Sequence, residues 1–175
     1  VLLQRNKLLK ELFFRPEYEE TLDVWDMQLV NYGREVIKFR REFIKQLNEI
    51  IHAIHLSLTG GREDISISYE PYTREDQMED ILKKNRAQDM KQKTTLSGPH
   101  RDDISFIVNG IDIRRFGSQG QQRTAALSLK LSELQLVKQL SHDDPILLLD
   151  DVLSELDSSR QNHLLSAIKH IQTMI

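Results

Sequence analysis

An apolar seam from about residue 21 to residue 57 is the longest pattern in the sequence. Its members recur at alternating steps of three and four, the near-heptad spacing of one long helix. At 1.5 Å per residue, such a helix is on the order of 50 Å long. The seam residues are Leu22, Trp25, Leu29, Tyr32, Val36, Phe39, Phe43, Leu47, Ile50 and Ile54.

A shorter apolar pattern over residues 1–14 predicts a helix before the long one. Pro16 closes it, because the residue before a proline avoids the α region. We expect the two helices to form an antiparallel hairpin with one apolar stripe. This hairpin is the main part of a helical arm over residues 1–93.

The rest of the arm is less regular. Isoleucines and a tyrosine alternate with serines and predict a short half-buried strand near residues 65–69. Residues 74–93 are highly charged and predict a peripheral helix anchored by Met78, Ile81 and Leu82. Residues 94–96 are expected to be a short strand.

A β-hairpin is the clearest local prediction. Ile104, Phe106 and Val108 alternate with other residues up to Asn109-Gly110. An Asn-Gly pair between alternating runs favours a tight two-residue turn. We therefore predict a hairpin over residues 104–115.

A glycine-rich turn follows at residues 116–124, F-G-S-Q-G-Q-Q-R-T. Gly117 and Gly120 free the backbone to approach a ligand, and Ser118 stands at a predicted helix start, where N–H groups favour a phosphate. Taken alone, the turn is more typical of an ordinary capped helix start. The helix is predicted to continue to about residue 140. The residues expected to face the core are Leu127, Leu131, Leu134 and either Leu136 or Val137.

An aliphatic strand over residues 146–150 leads into paired acids. Four consecutive aliphatic residues predict a strand buried on both faces, and Asp150 and Asp151 follow where it ends. Adjacent carboxylates suit Mg²⁺, although an acidic surface turn has the same pattern. Ser158 is expected to cap a helix to about residue 170, with Leu164, Leu165 and Ile168 buried.

Composition narrows the class of protein. The chain has 175 residues, 39% of them hydrophobic, with no cysteine and a net charge of -3. These values fit a cytoplasmic globular protein without disulfides, thiolate metal sites or membrane partners. Arg34, Lys38, Arg41 and Lys45 form a basic stripe that could follow a phosphate backbone, but a solvated helix face looks the same.

The order of the motifs resembles the ABC-type ATPases of the SMC/Rad50/RecF group. Residues 118–121 resemble the signature motif, residues 146–151 the Walker B strand with its following acid, and residues 154–157 the D-loop. Within this group, the sequence of residues 98–103, G-P-H-R-D-D, makes the chain most similar to the RecF family. The implied fold is mixed α/β: a helical arm over 1–93, then the C-terminal half of an ATPase lobe over 94–175.

The resemblance implies roles for individual residues. ATP and Mg²⁺ would lie between two subunits, and Ser118, Gln119, Gly120 and Gln121 would contact the nucleotide bound by the partner. We call residues 118–121 the signature turn. Asp150 would help to hold Mg²⁺ through water.

Further roles concern catalysis and the dimer seam. Asp151 would act as the catalytic base. It is one methylene shorter than the usual glutamate, so we expect slow hydrolysis. Ser154, Glu155 and Asp157 would line the dimer seam.

The segment at residues 98–103 has two interpretations. His100 and Arg101 could contact DNA or link the arm to the lobe. The acids Asp102 and Asp103 are more typical of local capping or pairing.

The implied function is ATP-dependent DNA binding in recombinational repair and replication. The expected protein is an ATP-dependent homodimer that acts as a slow switch on gapped DNA or single/double-strand junctions. It would work with RecR and RecO, and indirectly with RecA. Alternatives are a non-enzymatic helical interaction module or another SMC/Rad50-type ATPase.

One expected motif is missing. No G-x-x-x-x-G-K-[ST] loop occurs in the 175 residues. We therefore expect a piece of a longer protein that is inactive alone.

Overall fold

The chain has a mixed α/β fold. The computed structural model describes residues 1–141, 145–150, 157–169 and 171–174. Its helices are α1 (Leu2–Glu11), α2 (Thr21–Leu58), α3 (Met78–Gln92), α4 (Ile113–Phe116), α5 (Gln119–Ser141) and α6 (Ser158–Ala167). Its strands are β1 (Ile65–Glu70), β2 (Asp103–Val108), β3 (Ile111–Asp112), β4 (Leu147–Leu148) and β5 (Thr173–Met174). Among the helices so described, none is long and apolar enough to cross a lipid bilayer.

The chain divides into two compact units. The first unit comprises Val1–Glu42 and Tyr69–Ile104, and the second comprises Phe43–Ser68 and Ser105–Ile175. The division falls within α2 and differs from the predicted boundary between residues 93 and 94. A single long helix contributes to both cores, which a division by sequence order does not capture.

Two apolar clusters form the core of the first unit. In one, Leu8, Leu9 and Leu12 of the α1 region pack on Leu22 of α2. In the other, residues of α2 pack on the start of α3, with these members: Leu29, Val30, Ile37, Met78 and Leu82. Met78 and Leu82 are buried as predicted, whereas Ile81 is only half-buried.

The buried face of α2 differs from the predicted seam. Leu22, Leu29 and Leu47 are buried, but the exposed seam residues are Tyr32, Val36, Phe39 and Phe43. Phe39 has 70% of its surface exposed. The residues that take their place in the core are Val30, Ile37, Ile44, Ile51 and Leu58.

The strand predicted over residues 94–96 is not formed. Thr95 of this segment instead belongs to a buried charge network around Arg5. The Arg5 residue has 0% of its surface exposed. Arg5 donates to Asp26 Oδ1 at 2.6 Å, and its Nη1 donates to Asp89 Oδ2 and to Thr95 Oγ1, both at 2.8 Å. The contact with Thr95 therefore holds the segment through a side chain, where a strand would use ladder hydrogen bonds.

The predicted β-hairpin is present, but its second strand ends at Asp112, before the predicted end at residue 115. β2 and β3 pair antiparallel with Val108 opposite Ile111. Asn109 and Gly110 both have positive φ, 49° and 82°, as a two-residue turn of this kind requires. The second strand ends at Asp112 because the Asp112 side chain accepts from the N–H of Arg114 and caps α4. β1, β2 and β3 form one sheet in that order.

One apolar cluster of the second unit joins the end of α2 to α5 and α6. Its buried members are Leu58, Leu127, Leu131, Leu149, Leu164 and Ile168. Of the alternatives for the inward face of α5, Leu136 is buried and Val137 is exposed. Two predictions for α6 were wrong, since Asp157 and not Ser158 provides the cap, and Leu165 is exposed.

The predicted strand over residues 146–150 is short and open on one side. β4 pairs parallel with β5, with Leu147 opposite Thr173. Leu149 is buried, but Leu148 has 68% of its surface exposed and Ile146 is exposed as well. The prediction of burial on both faces was wrong here, because the pair packs on the core through one side only.

Candidate functional site

The signature turn is a capping box at the start of α5. Ser118 Oγ accepts from the N–H of Gln121 at 3.2 Å, and Gln121 Oε1 accepts from the N–H of Ser118 at 3.0 Å. Such a reciprocal pair at S-x-x-Q satisfies two backbone donors and fixes the start of the helix. The predicted helix start is thereby formed by the residues that resemble the signature motif.

Gly117 and Gly120 differ in how much room a side chain would have. A Cβ on Gly117 would lie 2.6 Å from Ile113 Cβ and 2.7 Å from Ile113 O, so the fold itself requires glycine there. A Cβ on Gly120 would have only ordinary contacts, the nearest at 3.6 Å. Glycine in a helix is less favourable than alanine by about 1 kcal/mol, and no internal contact of Gly120 accounts for it.

The first turn of α5 offers backbone donors. The N–H of Gln121 bonds to Ser118 Oγ, and that of Gln122 bonds to Ser118 O at 3.0 Å. Within the described residues, the N–H groups of Gln119 and Gly120 have no acceptor. Two free donors at the positive end of a helix attract an anion, and Gly120 has no side chain to obstruct its approach.

Arg160 lies beside this turn. Its Nη1 is the heavy atom nearest to a Cβ built on Gly120, at 3.6 Å. The same Nη1 donates to Asp157 Oδ2 at 2.5 Å, and the Arg160 N–H donates to Asp157 Oδ1 at 3.0 Å. The backbone N–H and the guanidinium of Arg160 both lower the pKa of Asp157.

A polar cavity of about 430 Å³ opens next to Arg160. Its lining includes Arg62, Glu63, Ser159 and Arg160. His55 is buried close to this lining, with Nε2 3.4 Å from Glu63 Oε2 and Nδ1 2.8 Å from Ser128 Oγ. Burial lowers the pKa of His55, and the nearby Arg160 acts in the same direction, whereas Glu63 opposes them.

The predicted acidic residues are only partly described. Asp150 is exposed directly after the buried Leu149, where the predicted magnesium ligand should stand. Asp151, Ser154 and Glu155 lie outside the described residues. Among the residues that are described, no group of three or more histidine or acidic side chains could hold a metal ion. Asp150 alone is compatible with a hard cation held through water.

The segment at residues 98–103 belongs to the first unit. Asp102 accepts from Arg40 Nη1 at 3.1 Å, from the N–H of Tyr72 at 2.9 Å, and from the Tyr69 hydroxyl. Burial and this hydrogen bond raise the pKa of Tyr69 to about 12. The pairing agrees with the local role expected of Asp102.

His100 and Arg101 of this segment are more open to solvent. A ring nitrogen of His100 lies 3.0 Å from Thr95 O, and both His100 and Arg101 are exposed. Their contact with DNA stays a prediction.

The basic stripe on α2 is partly paired within the first unit. Arg34 donates to Glu75 O at 3.1 Å, and Arg41 forms an ion pair with Glu75 Oε1 at 2.6 Å. Lys38 is exposed. The pairing favours the interpretation of a solvated helix face.

Sequence reasoning missed Arg160. A signal was present, since an acid at a helix start is followed by an arginine three residues later, and these positions are neighbours on a helix. The contact of Arg160 with Gly120 joins segments 40 residues apart in sequence, and no spacing pattern indicates it.

Comparison with known proteins gives the family. No protein-family model matches the chain. The chain is 58% identical over 174 residues to the DNA replication and repair protein RecF of Agathobacter rectalis, covering 99% of this chain and 48% of that protein. It is 55% identical over 175 residues to RecF of Lachnoclostridium phytofermentans, covering 100% of this chain and 49% of that protein.

Solved structures agree. The structure of the recombination mediator protein RecF with ATP, from the RecFOR pathway, matches with a TM-score of 0.84 at 34% identity, covering 99% of this chain and 49% of that one. The chain spans about half the length of the curated relatives that it matches. The sequence motifs, the fold and these matches lead to one conclusion: the chain belongs to the RecF family.

Proposed function

We propose that the chain is part of an ATP-dependent DNA replication and repair protein. In it, ATP held by one subunit is enclosed by the signature turn of another. Support comes from relatives named DNA replication and repair protein RecF and from a structural neighbour that is RecF with ATP.

The observation that carries the proposal is the open backbone at Gly120. Within the described residues, the N–H groups of Gln119 and Gly120 have no acceptor at this capped helix start, and Gly120 itself has no side chain. These donors attract the phosphates of a nucleotide. In the arrangement that the resemblance to ABC-type ATPases implies, the nucleotide would be held by a second subunit.

The finer proposal concerns hydrolysis and partners. Asp150 would hold Mg²⁺ through water, and Asp151 would orient the attacking water. Hydrolysis of ATP would be slow. The dimer would act on gapped DNA with RecR and RecO and would help to load RecA. The RecFOR pathway named for the structural neighbour supports these partners.

The test is the mass of a full-length RecF-family chain that contains these residues. Light scattering with and without ATP and Mg²⁺ should show a doubled mass for the wild type. Ser118→Arg should abolish the doubling, because a guanidinium side chain at the turn obstructs the partner's nucleotide. Direct nucleotide titration should show that this variant still binds ATP.

A matched control separates closure from folding. Ser141→Arg places the same side chain at the other end of α5, and it should dimerise like the wild type. If the wild-type mass does not respond to ATP, the proposal fails. The alternative of a helical interaction module then gains support from the exposed Tyr32, Val36 and Phe39 on α2.

A further inference from the structure

We propose that Arg160 is a positioning residue that holds the D-loop acid Asp157 and the signature turn together as one closing surface. The inference rests on the proposed function, because it concerns closure of one subunit on the nucleotide of another. Arg160 itself need not touch that nucleotide. Its role is to fix the two segments of its own subunit that do meet the partner.

The guanidinium is paired with Asp157 and lies beside the signature turn. Its Nη1 lies 2.5 Å from Asp157 Oδ2 and 3.6 Å from the position of a Cβ on Gly120, with Nη2 at 4.0 Å from the same position. The Arg160 backbone N–H also binds Asp157, at 3.0 Å. One side chain therefore spans the distance between the acid and the open side of the turn.

The placement of Arg160 is unfavourable for α6 by itself. A cation in the first turn of a helix is repelled by the positive end of the helix dipole. The Arg160 Nε is also buried without a hydrogen-bond partner among the described residues. The ion pair with Asp157 offsets part of this unfavourable energy, and the guanidinium also lies beside Gly120.

Arginine is suited to this position where lysine is not. The planar guanidinium can pair with an acid through one nitrogen while its flat, rigid group packs against a neighbouring backbone, whereas an ammonium is a single point of charge. A role that needed positive charge alone would be satisfied by either residue. The two side chains therefore give different expectations.

The experiment measures the protein concentration at which ATP-driven dimerisation is half complete. It uses a full-length RecF-family chain that contains these residues, with ATP and Mg²⁺. Arg160→Gln should raise this concentration about tenfold, the effect of losing one charged hydrogen bond from the closing surface. Arg160→Lys should not restore the wild-type value, and ATP affinity should be unchanged in both variants.

The matched control is Lys130→Gln. It removes the same charge from an ion pair with Glu133 at the same spacing of three residues, 2.8 Å long, on the exposed face of α5. This variant should dimerise like the wild type. Thermal melting without ATP identifies any variant that does not fold.

Asp157→Asn tests the ion pair between Arg160 and Asp157 from the side of the acid. Asparagine keeps the acceptor that caps α6 but loses the charge that faces Arg160, so this variant serves if Arg160→Gln does not fold. Combined with Arg160→Gln, it should cause less than the sum of the two single losses, because both substitutions break the same ion pair while Asp157 also lines the dimer seam.

The outcomes are distinguishable. A wild type that does not dimerise with ATP contradicts the proposed function. A responsive wild type overturns the inference alone in any of three cases: Arg160→Gln dimerises normally, Arg160→Lys restores the wild-type value, or the two losses add.

Discussion

At the scale of single residues, the candidate site was predicted in part. Ser118 and Gln121 were expected at a helix start, and they form its capping box. Gly117 was expected to leave room for a ligand, but its contact with Ile113 gives it a structural role. Sequence alone cannot separate Gly117 from Gly120, because the difference lies in what surrounds each Cβ position.

Gly120→Ala should have opposite effects on stability and on dimerisation. The added methyl meets only ordinary contacts, so the unfolding free energy should rise by up to about 1 kcal/mol. ATP-driven dimerisation of the full-length chain should weaken, because the methyl occupies the approach to the free N–H groups. Urea unfolding and light scattering measure the two effects.

Gly117→Ala is the matched control for this prediction. Its Cβ would lie 2.7 Å from Ile113 O, so this variant should lose stability before any nucleotide is added. A Gly120→Ala variant that dimerises like the wild type would contradict the assignment of Gly120 to the nucleotide.

At the scale of elements, α2 shows where pattern reasoning is incomplete. Its bounds were predicted to within one residue at its C-terminal end, but its buried face was not. Apolar residues occupy two neighbouring flanks of this helix, one with Phe39 and the other with Ile37 and Ile44. A near-heptad spacing fits both flanks, and the packing of elements distant in sequence, α1 and α3 on one part of the helix and α5 and α6 at its end, selects between them.

The buried network at Arg5 stabilises the packing of α1 on its neighbours. Arg5→Ala would leave Asp89 buried without its cation, while Asp26 would keep its ion pair with Arg86. Removal of one partner from a buried pair is expected to lower the unfolding free energy by roughly 3–5 kcal/mol. Urea denaturation followed by circular dichroism measures this loss.

Lys7→Ala is the control on the same helix. Lys7 has 79% of its side chain exposed and lies 3.9 Å from Glu11, so its loss should be below about 1 kcal/mol. Equal losses for the two variants would mean that the buried network contributes little to stability.

At the scale of the whole molecule, stability should depend on pH through His55. Its pKa is lowered in the folded chain, so below about pH 6.5 the unfolded chain takes up the proton first. The unfolding free energy should therefore be highest above that pH and should fall as the pH drops from there towards the folded pKa, below which both states carry the proton. Urea titrations between pH 5 and pH 8 test this prediction.

The comparison for that experiment is a second histidine on α2. His52 is half exposed and lies 3.0 Å from Asp64. His52→Gln should keep the dependence on pH, whereas His55→Gln should reduce it. An unchanged profile for His55→Gln would assign the effect to another group.

The whole fold was predictable to the extent that it depends on local order. The hairpin, the long helix and α5 follow from turn residues and periodicity within one segment. Three features depend on residues far apart in sequence: the division of the chain within α2, the buried charge network of Arg5, and the position of Arg160 beside Gly120. Single-sequence patterns carry no information on such contacts.

The open side of β4 affects how samples of the protein should be handled. Parallel strands are normally covered on both faces, and here Ile146, Leu148 and Met174 are exposed. Exposed apolar strands favour association at high concentration, and this association needs no nucleotide. Mass measurements are therefore best made as a dilution series with and without ATP, so that only the nucleotide-dependent part is assigned to the signature turn.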